Sequence, residues 1–203
     1  MKTTIVYNHP YEKSYNHAIL EASIAGAQKA GSQVQVIDLD AEKFNPVMTS
    51  EDLLGFVKHQ QVDPQAQAYT KHIGESDHLI LIFPIWWELM PAMMKGFIDK
   101  VIFPGAFYDY KANGYSMQVR HEKLKTITII TTMNTPKFLY QLIYGNAIKN
   151  ALVKGTFQKI GYKDVKWMSY NMVKMVDDRK RKSWLEQIEN RIYQRVQQAR
   201  LKL

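Results

Sequence analysis

Five short apolar runs punctuate the chain, and stretches with helical spacing separate them. The most continuous, Leu79-Ile80-Leu81-Ile82-Phe83, contains no polar side chain. Such a run predicts a strand buried on both faces, as parallel strands of α/β sheets are. Strands are predicted likewise over Lys2–Tyr7, Gln33–Asp38, Thr126–Thr132 and Val165–Tyr170. Between the first two, Ile19, Ala22, Gly26, Ala27 and Ala30 form a helical stripe that ends near Gly31, a favoured cap residue. Asp63-Pro64 reads as a cap followed by a first-turn proline, opening a helix to about Glu75. Pro91 opens another, to Val101, and Phe138 to Lys154 reads as one helix closed by Gly155. A last helix from Asp177 carries Trp184, Ile188, Ile192, Val196 and Ala199 on one face. Residues 40–62 look irregular, with a turn at Phe44-Asn45-Pro46 and a short helix from Ser50. Asn113-Gly114, set among aromatic residues, suggests a hairpin or long turn within Gly105–Arg120.

Strands alternating with helices predict an α/β fold, a doubly wound five-stranded parallel sheet with helices on both faces. At 203 residues one domain accommodates all of it. The expected strand order is the flavodoxin-like 2-1-3-4-5. In that order the carboxyl ends of strands one, three and four converge, which brings residues 8–16, 84–88 and 131–138 together at the edge where open α/β sheets bind ligands.

The first of these loops runs into a helix N-terminus, where free N–H groups favour an anion. It lacks the glycines of a dinucleotide fingerprint or P-loop, so a phosphate would be held by Ser14, Tyr15 and Asn16, with His9 as a side-chain donor; Ser14 as a plain helix cap explains the same residues. The second loop, Ile85-Trp86-Trp87-Glu88, offers either an aromatic wall for a planar ligand or two core or interface tryptophans.

Composition narrows the chemistry. There are 0 cysteines, which excludes disulfides, a cysteine nucleophile and thiolate metal sites, and accords with a reducing cytoplasm. The six histidines form no i,i+4 pair and no H-E-x-x-H, so no metal site is expected, and no G-x-S-x-G marks a hydrolase. The net charge of +8 is concentrated toward the C-terminus, around Arg179-Lys180-Arg181-Lys182, and reads as a solvated face rather than a nucleic-acid site. No apolar stretch approaches the roughly 20 residues that cross a bilayer, so no membrane insertion is expected.

Taken together, Asn8-His9-Pro10, Ser14-Tyr15-Asn16, Phe83-Pro84-Ile85-Trp86-Trp87, Pro91-Ala92 and Lys95-Gly96-Phe97-Ile98-Asp99-Lys100-Val101 resemble the flavodoxin-like NAD(P)H:quinone oxidoreductase family, as do Asp38-Leu39 and Phe44-Asn45-Pro46. The resemblance covers most of residues 1–146. It implies a flavin, FMN or FAD, with His9, Ser14, Tyr15 and Asn16 at its phosphate and Pro84, Ile85, Trp86 and Trp87 along the isoalloxazine. The loop after the fourth strand, Thr131, Thr132, Met133 and Asn134, would complete the cofactor site. It further implies NADH or NADPH as donor, a quinone or similar aromatic as acceptor, and a homodimer whose interface could use the aromatic segment Phe103–Tyr115.

The family's glycines after the two threonines are replaced here by Met133-Asn134. Its assisting tyrosine falls on Phe138, with Tyr140 nearby, and its histidine falls on Tyr144, which leaves Tyr140 and Tyr144 as the catalytic candidates. A non-enzymatic electron carrier, or an ancillary subunit regulating a membrane transporter, is the alternative reading; carriers of this shape tend to be acidic, which +8 opposes.

Overall fold

The computed structural model describes residues 1–202. Its central sheet joins β1 (Lys2–Tyr7), β2 (Gln33–Asp38), β3 (His78–Pro84), β6 (Thr126–Met133) and β7 (Val165–Asn171), all parallel, in the order β2-β1-β3-β6-β7. Numbered as the sheet's own five strands, this is the expected 2-1-3-4-5. The extra pair, β4 (Tyr108–Tyr110) and β5 (Met117–Val119), is the antiparallel hairpin around Asn113-Gly114.

Every residue of β3 and of β6 is buried, so β3 reads as an apolar run, and the threonines that alternate with isoleucine in β6 are buried as well. Helices cover both faces. On one, α1 (Tyr15–Lys29) and α6 (Asp178–Arg200) close over Ile5, Ile80, Ile82 and Ile130. They approach so tightly that a Cβ on Gly26 would lie 2.3 Å from the Glu189 carbonyl oxygen, which accounts for the glycine in the α1 stripe. On the other, α3 (Pro64–Gly74) and α4 (Ala92–Val101) pack on Leu79, Leu81, Phe83, Ile127 and Ile129.

The irregular stretch 40–62 does contain α2 (Ser50–Lys58), capped by Thr49, whose hydroxyl accepts from Asp52 N while Asp52 accepts from Thr49 N. The stretch is pinned from α4 by the buried Lys100, whose ammonium lies 2.5 Å from Asp63 and 3.4 Å from Asp52 and also donates to the carbonyls of Asn45 and Val47.

One sequence-based expectation fails. Residues 138–154 are not one helix: α5 (Lys137–Leu142) stops at Gly145 and Asn146, whose φ angles are 73° and 50°, and a π-helix follows over Ile148–Gln158. A Gly-Asn pair in left-handed backbone terminates a helix, whereas Gly155 lies within the π-helix instead of ending it. In the segment 103–115, Phe103, Phe107 and Tyr108 are buried, while residues 111–115, Tyr115 among them, are exposed.

Candidate active site

At the carboxyl edge of the sheet the three loops are bonded to one another. The Asn8 N–H donates to Ile82 O at 3.0 Å and the Ile85 N–H to Thr132 O at 2.8 Å, so the loops after β1, β3 and β6 share one backbone frame. Asn16, buried in the first turn of α1, donates from Nδ2 to Thr132 Oγ1 at 3.0 Å and fixes the start of the helix to the end of β6.

The start of α1 is built to leave donors free. Ser14 is the N-cap and accepts from His17 N at 3.1 Å, and the N–H groups of Tyr15 and Asn16, first and second in the helix, have no earlier helical carbonyl to bond. His9 stands beside them. Its Nδ1 accepts from Tyr11 N at 3.1 Å, which places the proton of the neutral ring on Nε2, and burial lowers its pKa, with Asp40 acting the other way. Tyr15 turns away, its hydroxyl donating to Arg181 O at 2.8 Å and its pKa raised by burial. Of Tyr15, only the backbone N–H is therefore left free at the start of α1.

After β3 the chain makes a two-residue turn. Trp86 N donates to Leu89 O at 3.0 Å and Leu89 N to Trp86 O at 3.1 Å, with Trp87 and Glu88 at φ of 51° and 63°. Left-handed backbone at two successive non-glycine residues is strained, and it persists because the surroundings hold it. Thr135 Oγ1 donates to Glu88 Oε1 at 2.6 Å, and Tyr140 Oη donates to Glu88 O at 3.1 Å. The turn lifts Trp87 out of the protein, 97% exposed, with Trp86 at 47% and its ring edge-on to His9. Those exposures remove the reading of the pair as core residues. Pro84 and Ile85, both buried, form the floor beneath them.

The residues after β6 divide. Thr131 Oγ1 accepts from Trp167 Nε1 at 2.9 Å and Met133 is buried in the core, so neither side chain opens to the edge. Asn134 is exposed and accepts from Lys174 N at 3.2 Å. The two tyrosines also separate. Tyr140 is buried, its hydroxyl clamped between Glu88 O and the Ile148 N–H at 3.0 Å, and burial raises its pKa; Tyr144 is exposed beyond the end of α5.

Three groups at this edge escaped sequence reasoning. The buried atoms Asn8 Oδ1, Glu88 Oε2 and Tyr170 Oη have no partner among the described residues. Asn8 and Glu88 lay inside the quoted motifs, and their polarity beside an apolar strand was the available signal. Free helix N–H groups, a neutral imidazole donor, an exposed aromatic platform and orphaned acceptors are a donor and acceptor set that fits a planar, phosphorylated, hydrogen-bonding cofactor such as a flavin mononucleotide. Among the described residues no cluster of His, Asp or Glu could hold a metal ion.

The parallel sheet and its ligand edge define a flavodoxin-like protein, and the comparisons agree: residues 1–194 match the flavodoxin-like fold family, to which the chain belongs. Within that family it groups with the NAD(P)H:quinone oxidoreductases. It is 26% identical to an uncharacterized NAD(P)H oxidoreductase of Haemophilus influenzae over 187 residues, 92% of this chain and 91% of that one. It is 27% identical to NAD(P)H dehydrogenase [quinone] 1 of Cavia porcellus over 179 residues, 79% of this chain and 65% of that longer one. Among solved structures, Smu.1420 of Streptococcus mutans superposes with a TM-score of 0.81 at 31% identity, covering 96% of this chain and 100% of that one.

Proposed function

We propose that the protein is a flavin-dependent oxidoreductase that moves two electrons from NADH or NADPH to quinones or similar electrophilic aromatics by a ping-pong mechanism. The observation that carries this reading is the junction of α1's free N–H groups with the exposed Trp86 and Trp87, locked by the Asn16–Thr132 hydrogen bond. Its relatives' oxidoreductase names support it. A bound flavin supplies the hydride-accepting ring; the protein positions and tunes it. Ser14, the N–H groups of Tyr15 and Asn16, and His9 Nε2 hold the phosphate. Trp86 and Trp87 cover the ring and offer a flat surface to the acceptor. The N–H groups of Trp87 and Glu88 supply backbone donors toward developing negative charge; Trp86 N–H is committed to Leu89 and does not.

FMN is the expected cofactor, because one helix N-terminus provides one phosphate seat. Around the site Trp87, Leu89, Phe138, Leu142 and Ile143 are exposed, an apolar rim that a homodimer would cover. A cytoplasmic setting belongs to the same reading, and a chain with 0 cysteines accords with it; among the described residues no helix is long and apolar enough to cross a membrane.

The test is the visible spectrum of the purified protein, followed by oxidation of NADH and of NADPH with and without menadione. Turnover with menadione and parallel double-reciprocal lines is expected. A protein that stays colourless after addition of FMN or FAD overturns the reading, and flavin loading without turnover assigns it to the carrier or regulatory class.

A further inference from the structure

The sheet ends at β7, and that edge is open. In a parallel ladder alternate residues turn both their N–H and C=O toward the same neighbour. Asp164 O accepts the Ile127 N–H at 3.0 Å, so Val165, Trp167 and Ser169 turn theirs away from β6, and these groups bond nothing among the described residues. A groove flanks the strand on each side. One, of about 320 Å³, lies against the π-helix and is lined by Lys137, Lys149, Lys154, Val153 and Trp167. The other, of about 280 Å³, lies against α6 and is lined by Met168, Arg191 and Gln194, among others. Lys166 borders both, and no carboxylate lines either groove.

An added strand would place alternate side chains on opposite faces of the sheet, one set in each groove. Lys137, Lys149, Lys154, Lys166 and Arg191 converge here from α5, the π-helix, β7 and α6, and none forms an ion pair among the described residues. A single lysine on an edge strand deters aggregation. Four more cations brought from three neighbouring elements do more than that, since they surround both grooves with uncompensated charge. A second copy pairing edge to edge would oppose five cations to five, which disfavours self-association through β7.

We propose that the β7 edge is a docking strand for an extended, acidic segment of a partner protein, which adds to the sheet by backbone hydrogen bonds while its carboxylates meet the five cations. The site adjoins the third loop of the candidate active site only through Lys137; its other four cations come from the π-helix, β7 and α6.

A fluorescein-labelled ten-residue peptide alternating glutamate and valine tests this against the flavin-loaded protein. Saturable binding is expected, with amide hydrogen exchange slowed at Trp167 and Ser169. Lys149→Glu combined with Lys154→Glu, both exposed, should raise Kd at least tenfold. Two N-methylated versions of the peptide, blocked on its even or on its odd residues, separate strand addition from charge alone: one should lose binding and the other keep it. Equal binding of both versions, unchanged exchange at Trp167 and Ser169, or an unaffected Kd in the charge-reversal variant would overturn the proposal.

Discussion

Asn16 and Thr132 stand 116 positions apart in the chain and join at 3.0 Å, side chain to side chain, under the carboxyl edge of the sheet. The bond is reciprocal: Thr132 Oγ1 also lies 3.3 Å from Asn16 Oδ1. Both residues are buried, so losing one strands the polar group of the other. Asn16→Ala is expected to lower the free energy of unfolding by about 1–3 kcal/mol. Thr132→Val should do the same, and the double variant should cost less than the sum, with a coupling of roughly 0.5–3 kcal/mol in urea denaturation. Additive losses would show that the pair does not act as one contact. Because the bond fixes the start of α1, FMN affinity should fall in both single variants although the Asn16 N–H is retained.

Tyr140 and Tyr144 can be separated in the same way. The Tyr140 hydroxyl clamps the strained turn from beneath, so Tyr140→Phe frees the Glu88 carbonyl and leaves the Ile148 N–H unpaired. A destabilisation of about 1–3 kcal/mol is expected, together with slower flavin reduction as Trp87 and Glu88 relax. Tyr144 is exposed and should matter less, with Tyr144→Phe slowing the step by less than tenfold, about 1.4 kcal/mol. Stopped-flow loss of flavin absorbance decides the order of the two, and a larger loss in Tyr144→Phe would make that tyrosine a direct participant.

The sheet was legible because burial on both faces leaves a plain mark, the unbroken apolar run 79–83 of β3. The convergence of the three loops followed from strand order. Hydrogen-bond direction left no such mark. Nothing in Trp86-Trp87-Glu88-Leu89 announces a two-residue turn that consumes the Trp86 N–H, since the residues usual in such turns, glycine and asparagine, are absent. The stop after α5 is masked for a related reason: Gly145-Asn146 is a turn dipeptide, but Tyr140, Tyr144, Ile148 and Leu152, each four residues from the next, imitate helical spacing across it. Tyr140's inward path depends on Trp167, 5.9 Å away ring to ring and 27 residues later in the numbering, which local periodicity does not reach.

His78, fully buried at the opposite end of β3, makes stability depend on pH. Its Nδ1 lies 2.5 Å from Thr126 Oγ1, and burial, with help from the Arg195 charge, pushes its pKa down to about 3. The unfolded chain has the ordinary value of about 6.5. Between these values the unfolded state holds the extra proton, so the contribution of His78 is complete above pH 6.5 and is lost as pH falls toward 3. Asp63 and Asp164, whose pKa values are lowered on folding, lose their contributions only below the carboxylate range. Melting temperature should therefore decline from pH 6.5 to 4.5 in the natural protein and decline less steeply in His78→Val, where His9 and His121, whose pKa values burial also lowers, still contribute. An identical slope in the variant would assign the acid sensitivity elsewhere.

Lys100 is the cation on which the irregular segment depends. Its ammonium is buried between Asp52 and Asp63 and reaches the carbonyls of Asn45 and Val47, so one side chain on α4 holds the Phe44-Asn45-Pro46 turn and the starts of α2 and α3. Truncation leaves two carboxylates facing an apolar wall without a counter-charge. Lys100→Met is expected to cost about 3–5 kcal/mol, the usual penalty for breaking a buried pair from one side. Asp63 also caps α3, its Oδ1 accepting from the N–H groups of Gln65 and Ala66, and an asparagine side chain at that position would retain the acceptor. Adding Asp63→Asn to Lys100→Met should therefore restore part of the loss by removing one stranded charge without uncapping the helix. Denaturant unfolding of the single and double variants measures both steps; a double variant no more stable than Lys100→Met alone would mean that Lys100 acts through packing and not through charge.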